Sequence, residues 1–358
     1  MYLTRVGAEN FRPFASLSLD PHPRRNLIVG ENAAGKTSLL EAVYALGRGH
    51  SFRGTAAEVA GQGGANWRLA GETQTPGGAI ARVAVAWAED RRRIALDGSP
   101  GTVQDLVRQL PVQILEPESH RLVEDGPVNR RRYLDWGVFH VEHRFFPTWR
   151  RYQRALKQRN GALRAGAARA EVEAWNPDLA AAGAELHDLR ERHLHQLAAG
   201  FAAQAAAVMK EGPWELELAR GWPEGTPLEQ VLAESYPRDS RAGVTLAGPH
   251  RAELLLCLRE VPARHRISRG QQKLAVAALL LAQADLIAEA TGRTPIVLVD
   301  DLNAELGAGF QDALARALAA YPGQVFATAI EAPHNAAWRE NLSVFHVEHG
   351  ALKASSLV

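Results

Sequence analysis

The segment Gly30–Thr37 carries the clearest chemical pattern in this sequence. Its letters GENAAGKT fit G-x-x-x-x-G-K-[ST] at each fixed position. In such a loop, successive backbone N–H groups surround a phosphate, the lysine reaches the outer oxygens, and the threonine hydroxyl holds Mg²⁺. We therefore predict that a nucleotide triphosphate is bound by Gly30, Glu31, Asn32, Ala33, Ala34, Gly35, Lys36, Thr37 and Ser38, with Thr37 also a metal ligand.

The residues on both sides of this loop support the same interpretation. The apolar run Asn26–Val29 predicts a buried strand, and Ser38–Leu46 has apolar residues at helical spacing. Strand, glycine loop and helix is the context that a phosphate loop requires, because the positive end of the helix then faces the anion. A chance glycine turn before a helix is the weaker interpretation.

Two acids follow a second apolar run and supply the carboxylates that such a loop needs. Pro295–Val299 predicts a buried strand, and Asp300 and Asp301 follow it directly. We predict that Asp300 coordinates Mg²⁺ and that Asp301 orients or deprotonates the attacking water as the catalytic residue. A strand that merely ends in an acidic turn is common, but downstream of a phosphate loop the functional interpretation is stronger.

A third candidate segment, Ile267–Lys273, precedes a helix that we predict over Gln271–Ala290. Ser268 is an acceptable N-cap residue, so capping alone would explain it. The Ser268 hydroxyl, the Gly270 N–H and the helix dipole also favour an anion. Ser268, Gly270 and Gln271 are therefore candidates for a second phosphate cradle.

Bulk properties limit the class of protein. The 358 residues predict two compact parts, or one with an insertion, and 46% apolar residues supply ample core. A net charge of +1 excludes a globally cationic nucleic-acid binder but leaves room for a local basic face. Cys257 is the only cysteine, which fits a reducing compartment. No signal-peptide core or bilayer-length apolar run is evident, so we expect a cytoplasmic protein without a membrane partner.

The chain changes character along its length. Alternating runs predict strands near the N-terminus and an antiparallel layer over Trp67–Thr73, Ile80–Trp87 and Arg93–Leu96. Helical periodicity follows over Trp149–Leu163 and Leu179–Met209. We expect 1–135 and 243–358 to form the two parts of one α/β head, and 136–242 to form an inserted, mainly helical lobe.

Two further motifs have more than one interpretation. The run Arg130–Arg132 could contact phosphate, although a solvated helix start paired with nearby acids is the commoner case. The segment Gly248–Arg251 could be a turn into a strand, or its cation and imidazole could contact DNA or another subunit.

The ordered set of motifs resembles the ABC-type ATPase heads of SMC-like proteins, and among them the RecF family of bacterial DNA gap-repair and recombination mediators. The resemblance runs the length of the chain. Besides the loop, the Ser268 segment and the paired acids, it rests on Asn10–Arg12, Ser51–Arg53, Arg131–Asp135, Leu156–Asn160, Gly248–Arg251 and Phe345–Glu348.

The resemblance implies an α/β fold: an ABC-ATPase-type P-loop head with a small antiparallel β layer and an inserted helical lobe. It also implies that ATP and Mg²⁺ are sandwiched in a homodimer, with Ser268 and Gly270 acting in trans and Arg12 helping to hold the nucleotide. The implied activity is a weak, DNA-stimulated ATPase that serves as a conformational switch. Implied partners are gapped or single-strand/double-strand junction DNA and the proteins RecR and RecO, which help to place RecA.

Three residues depart from the pattern of the family. Asn303–Gly307 ends in glycine where related chains have an aspartate, and Ala327–Ala329 lacks a switch histidine. Asp301 stands where fast ABC enzymes have glutamate. These departures predict slow hydrolysis or weakened dimer coupling.

Two other functions stay open from sequence. The chain could be the ATPase subunit of a membrane transporter, although the long interval between Lys36 and Ser268 and the lack of a hydrophobic coupling segment argue against it. It could also be a small-molecule P-loop kinase, in which Ser268 would be only an N-cap.

Overall fold

The computed structural model describes residues 1–75, 77–302, 307–330 and 336–354. The strands are β1 (Tyr2–Phe11), β2 (Phe14–Leu19), β3 (Arg25–Val29), β4 (Trp67–Gln74), β5 (Ile80–Ala88), β6 (Arg91–Leu96), β7 (Ser99–Pro100), β8 (Val112–Leu115), β9 (Trp214–Ala219), β10 (Glu253–Leu258), β11 (Val261–Pro262), β12 (Ile296–Val299), β13 (Val325–Ala329), β14 (Leu342–Glu348) and β15 (Ala351–Ala354). The α-helices are α1 (Lys36–Arg48), α2 (Val103–Gln109), α3 (Arg121–Glu124), α4 (Pro127–Val141), α5 (Phe145–Arg164), α6 (Arg169–Glu173), α7 (Asn176–Val208), α8 (Leu228–Glu234), α9 (Tyr236–Ala242), α10 (Arg269–Thr291), α11 (Ala308–Ala320) and α12 (Ala336–Arg339).

The chain divides into two units. The first consists of Met1–His120, Ala207–Lys210 and Ser268–Val358, and the second of Arg121–Ala206 and Glu211–Ile267. The domain boundaries expected from sequence, after residues 135 and 242, stay a prediction, and the division into units falls at other residues.

A mostly parallel sheet in the first unit determines where the polar side chains meet. Its strand order is β15-β14-β3-β13-β12-β8, with β15 antiparallel to its neighbour and the others parallel. Val299 lies opposite both Ala327 and Leu115 in the register. Because the carboxyl ends of parallel strands share one edge, the residues after β3, β8, β12 and β13 are gathered there.

The predicted antiparallel layer is present in the same unit and is larger than expected. Its strand order is β2-β1-β4-β5-β6-β7. The alternation of buried and exposed residues in β1 and β4 gives the sheet one apolar face. Helix α1 shares a hydrophobic cluster with this face and with β12 and β13 of the parallel sheet, so both layers fix the helix that begins at Lys36.

Helix α10 is buried along most of its length. Its apolar residues occur on nearly every side, and every residue from Gln272 to Ala284 is buried. By length and composition it is also a candidate membrane span, with 67% of the relevant window buried inside the protein. A core helix passes the same test, and burial of that extent is what a core helix shows.

The second unit combines helices with a small sheet. The predicted helices are present as α5 and α7, which are longer than expected. The sheet has the order β11-β10-β9, and β10 pairs with β9 over six residues, from Glu253 opposite Ala219 to Leu258 opposite Trp214. The segment Glu253–Leu258 falls within the part of the head expected from residue 243 onwards, and that boundary stays a prediction.

A buried arginine joins several elements of the second unit. Arg159 has no exposed side-chain surface, and its guanidinium donates to Asp239 at 2.8 Å, to Thr245 Oγ1 at 2.8 Å and to Asn176 Oδ1 at 2.9 Å. The Asp239 carboxylate is equally buried. The network therefore balances a buried charge and connects α5, α7 and α9.

We expect Arg159→Met to lower the free energy of unfolding of this unit by about 3–5 kcal/mol, because it leaves the Asp239 charge buried without a cation. The matched control is Arg151→Met, which breaks the ion pair between Arg151 and Asp178. The side chains of these two residues are 51% and 44% exposed. That exposed pair should be worth less than about 1 kcal/mol. Urea titrations followed by circular dichroism measure both losses, and equal losses would contradict the assignment.

Candidate functional site

The loop between β3 and α1 has the geometry of an anion cradle. A Cβ on Gly30 would lie 2.4 Å from the Val347 carbonyl oxygen, so a side chain does not fit there. Gly35 has φ 115°, in the left-handed region, and is the N-cap of α1 without a side-chain capping bond. The first N–H groups of α1 therefore stay open to a ligand, and the helix dipole favours a negative one.

A cavity of about 470 Å³ lies over this loop. It gathers most of the predicted loop residues with both predicted acids. Its lining consists of Pro13, Glu31, Asn32, Ala33, Gly35, Lys36, Thr37, Ser38, Arg53, Pro117, Asp300, Asp301, Thr328 and Ile330. Gly30 and Ala34, also predicted to bind the nucleotide, belong to the same loop but are not among the lining residues.

The predicted metal ligands lie within hydrogen-bonding distance of each other. Thr37 Oγ1 donates to Asp300 Oδ1 at 2.9 Å, and Thr328 Oγ1 donates to the same oxygen at 2.8 Å. Asp300 is only 8% exposed. A hydroxyl and a carboxylate are the hard oxygen ligands that Mg²⁺ prefers, so the residues present fit this ion.

Lys36 faces the loop that it is predicted to serve. Its Nζ donates to the carbonyl oxygens of Gly30 at 2.7 Å and Glu31 at 2.9 Å. The ammonium is thus positioned across the loop by backbone acceptors. A bound phosphate would offer it charged oxygens, which form stronger hydrogen bonds than neutral carbonyls do.

Thr328 is a site residue whose role sequence reasoning missed. Its hydroxyl accepts from the Asp301 N–H at 2.7 Å while it donates to Asp300, so it fixes both acids. Asp301 itself has φ 53°, a value that few non-glycine residues adopt. Sequence reasoning noted only the absence of histidine here. The sequence signal that could have identified it is a hydroxyl residue near the carboxyl end of β13, the strand parallel and adjacent to β12, which the two acids follow.

Arg12 is bound to a buried carboxylate instead of lining the cavity. It donates to Glu41 through Nε at 2.9 Å and Nη2 at 2.8 Å, and Arg53 donates to Glu41 at 2.6 Å. Burial alone would raise the pKa of Glu41, but hydrogen bonds from Arg12, Ser51 and Arg53 outweigh it and hold this pKa below its usual value. Arg53 also lines the cavity and donates to Ser38 Oγ at 3.3 Å. The motif Ser51–Arg53 includes this residue, but the sequence assigns it no role.

The Ser268 segment is an exposed, capped helix start. Ser268 Oγ accepts from the Gln271 N–H at 3.3 Å, and the Gln271 side chain accepts from the Ser268 N–H at 2.8 Å, which is a capping box. None of Ser268, Gly270 and Gln271 is among the residues that line the cavity. The segment Asn303–Leu306 lies outside the described residues, and Gly307, which stands where related chains have an aspartate, is the N-cap of α11.

Comparison with known proteins gives the family. Residues 5–54 match a family model described as an AAA domain. A protein of Stutzerimonas stutzeri named DNA replication and repair protein RecF is 39% identical over 361 residues, which cover 98% of this chain and 97% of the relative. A protein of Stenotrophomonas maltophilia with the same name is 37% identical, covering 99% of this chain and all of the relative. The chain belongs to the RecF family.

Solved structures agree with this family in fold. A structure of a RecF protein with ATP, described as the recombination mediator in the RecFOR pathway, has a TM-score of 0.85 at 23% identity and covers 99% of this chain. An SMC head bound to a domain of ScpA has a TM-score of 0.60 at 14% identity. The predicted fold, an ABC-ATPase-type head of SMC-like architecture, is confirmed.

One further carboxylate, which was not predicted from sequence, lies close enough to this RecF-family site for its charge to interact with Asp300. Glu116 follows β8, directly beside the strand that ends at Asp300, and its N–H donates to Ser119 Oγ at 2.7 Å. Burial, and then the negative charges of Asp300 and Glu118, raise the pKa of Glu116 to about 7, against the opposing effect of Arg53. Glu116 is therefore partly protonated near neutral pH, since burial and the neighbouring carboxylates disfavour its charge.

We expect Glu116→Gln to stabilise the ligand-free protein in a pH-dependent way. A carboxyl pKa raised from 4.5 to about 7 means that the native state binds a proton more tightly than the unfolded state. Stability is therefore lost as pH rises through this window, and the full cost, about 1–3 kcal/mol, is present above pH 7. The variant should melt higher than the parent at pH 8 and equally at pH 4, in EDTA. Glu224→Gln, an exposed glutamate of the second unit, is the control, and a gain of equal size at both pH values would contradict the argument.

Proposed function

We propose that this chain is an ATP-switched DNA-binding protein of replication and repair, a recombination mediator that acts at single-strand gaps to promote loading of RecA. The observation that carries the proposal is the contact between Thr37 and Asp300 inside the loop-lined cavity of a RecF-family chain. The names of the relatives, which refer to DNA replication and repair, support it. So does the ATP-bound RecF protein of similar fold, described as part of the RecFOR pathway.

Different residues of the cavity would serve the binding of ATP and its hydrolysis. The open N–H groups of the loop and Lys36 would hold the β- and γ-phosphates, and Thr37 and Asp300 would hold Mg²⁺. The ion supplies neutralisation of charge on the phosphate oxygens. Asp301, positioned through its N–H by Thr328, would orient or deprotonate the attacking water. Thr328 cannot perform the acid–base chemistry of a histidine, which supports slow turnover.

The dimer is the part of the proposal that makes ATP a switch. Ser268 and Gly270 would close on the triphosphate held by the partner subunit's loop. Support comes from the exposure of the segment, from its position at the N-terminus of a 23-residue helix, and from its absence from the cavity lining of its own subunit. Loss of the γ-phosphate would remove the contacts that hold the dimer.

Sedimentation velocity of the purified protein, with and without Mg²⁺-ATP and with gapped duplex DNA, tests the proposal. We expect a monomer without nucleotide, a dimer with ATP, and a larger species when gapped DNA is added. Fully duplex DNA and ADP are the matched controls. A protein that binds ATP but stays monomeric and does not bind gapped DNA would contradict the proposal and support a small-molecule kinase instead.

The wider assignments follow from the family. We propose that the protein works in the cytoplasm with RecR and RecO, and that it prefers gaps or single-strand/double-strand junctions. Affinity for DNA should fall steeply with salt if Arg side chains contact phosphates. A transporter ATPase subunit is disfavoured by the relatives, which match over nearly the whole chain and are named for DNA replication and repair.

A further inference from the structure

The second unit presents two guanidinium groups, one on a helix and one on a rigid turn, and we propose that this pair holds a phosphate of the DNA backbone. The pair is Arg131, on α4, and Arg251, in the turn Pro249–Arg251; we refer to it as the arginine pair. The inference rests on the proposed DNA-binding function and specifies where on this chain one DNA contact lies.

The turn that carries Arg251 is held in one conformation. Gly248 has φ 133°, and a Cβ there would lie 2.6 Å from the Tyr152 hydroxyl. That hydroxyl lies 2.6 Å from His250 Nδ1, while His250 Nε2 lies 2.9 Å from the Thr245 carbonyl oxygen. Because a carbonyl oxygen only accepts, Nε2 carries the proton and Nδ1 accepts from the tyrosine. The position of the backbone at Arg251 is therefore set before any ligand binds.

The His250 imidazole holds the backbone of this turn through its two hydrogen bonds and carries no charge. Burial lowers the pKa of His250 to about 4, and Arg251 and Arg131 act in the same direction. At neutral pH His250 is therefore neutral and already uses both nitrogens within the protein. The expectation that the imidazole itself contacts DNA has no support from this geometry, which leaves the cations to do so.

The nearby carboxylates are already committed to other arginines. Asp135 accepts from Arg190 at 2.7 and 2.9 Å, and Glu253 accepts from Arg130 at 2.7 and 3.1 Å. Arg130, the first residue of the run Arg130–Arg132, is thus paired with an acid, as the commoner interpretation of such a run requires. The side chain of Arg131 instead donates to a backbone carbonyl oxygen.

The two members of the arginine pair keep their charge available. Arg131 donates through Nη1 to the Ala252 carbonyl oxygen at 2.7 Å, and Arg251 is exposed. Within the described part of the chain neither is in an ion pair. Burial lowers the pKa of Arg131 most and Arg190 and Arg251 lower it further, while Glu253 and Asp135, which are paired with other arginines, oppose the shift. Arg131 therefore lies near the positive charge of Arg251, and a bound anion would neutralise both.

A phosphodiester fits this arrangement, and the proposed DNA-binding function favours it over a carboxylate, to which a guanidinium binds with the same geometry. The planar guanidinium donates two parallel hydrogen bonds to phosphate oxygens, and it is more weakly hydrated than an ammonium. Two such groups on a rigid support suit one backbone phosphate and read no base, so the contact would position DNA without sequence preference. An acidic segment of a helper protein is the competing occupant.

Arg251→Gln and the double variant Arg131→Gln/Arg251→Gln test the inference. In titrations with fluorescein-labelled gapped DNA, loss of the one phosphate contact should lower the slope of log affinity against log salt by about 0.9 in the double variant, and by part of that in Arg251→Gln. We expect Kd for DNA to rise about tenfold or more in the double variant at 0.1 M salt. Arg154→Gln removes the same charge from an exposed position on α5, and it should leave the salt slope and the Kd for DNA unchanged.

The controls separate this inference from the proposed function. Binding of a fluorescent ATP analogue should be unchanged in every variant, which shows that the first unit is intact. If the parent protein does not bind gapped DNA, the proposed function fails. If the parent binds and Arg251→Gln keeps both its affinity and its salt slope, the inference fails alone. Variants that keep DNA affinity but lose binding of a purified helper protein would overturn it in favour of an acidic protein partner.

Discussion

Lys36→Arg is expected to reduce ATP hydrolysis by at least about 100-fold while nucleotide binding stays within a few-fold of the parent value. The ammonium of Lys36 lies 2.7 Å from the Gly30 carbonyl oxygen and 2.9 Å from that of Glu31, within the loop that would surround the phosphates. A guanidinium keeps the charge, and hence much of the ground-state attraction. Its planar fork cannot place a point charge in the same position against the charge that develops in the transition state.

Phosphate release and titration with a fluorescent ATP analogue measure the two quantities separately. Lys353→Arg is the matched control, because it makes the same chemical change in an exposed ion pair with Glu348 on the edge of the parallel sheet. That variant should hydrolyse ATP as the parent does. Normal hydrolysis by Lys36→Arg would show that this residue does not serve the transferred phosphate.

The sequence predicted the elements of the first unit well because the relevant signals are local. The run before Gly30 and the helical spacing after it are visible within a few residues, and the structure has β3 and α1 there. The meeting of Thr37 with Asp300 follows from one added rule, that both strands belong to a parallel sheet whose carboxyl ends share an edge.

What sequence reasoning missed depends on which strands are neighbours. Thr328 and Glu116 join the site because β13 and β8 lie on either side of β12, and this order is not encoded in any short segment. The binding of Arg12 to Glu41 joins residues far apart in sequence in the same way. The pairing of β10 with β9, across an intervening stretch that contains α8 and α9, is likewise not visible in a short segment.

Ser268→Arg is expected to abolish ATP-dependent dimerisation without unfolding the protein. Ser268 is exposed at the start of α10, so a large side chain finds space in the monomer. The variant loses the capping bond to the Gln271 N–H, which costs only about 1 kcal/mol. In the dimer the same side chain would occupy the space that the partner's γ-phosphate requires. Sedimentation with ATP should therefore show a monomer, and a fluorescent ATP analogue should bind as it does to the parent.

Ser268→Thr is the control, because it keeps both the capping oxygen and a small hydroxyl and should still dimerise. Mixing Ser268→Arg with Lys36→Arg then decides whether the two residues act across subunits. In a mixed dimer, the intact loop of the first variant faces the intact serine of the second, so one complete site is restored while the other carries both defects. We expect hydrolysis by the mixture to exceed the sum of the separate activities. If sedimentation shows the mixed dimer and the mixture is no more active than its parts, Ser268 does not complete the partner's site, and its role is confined to capping α10.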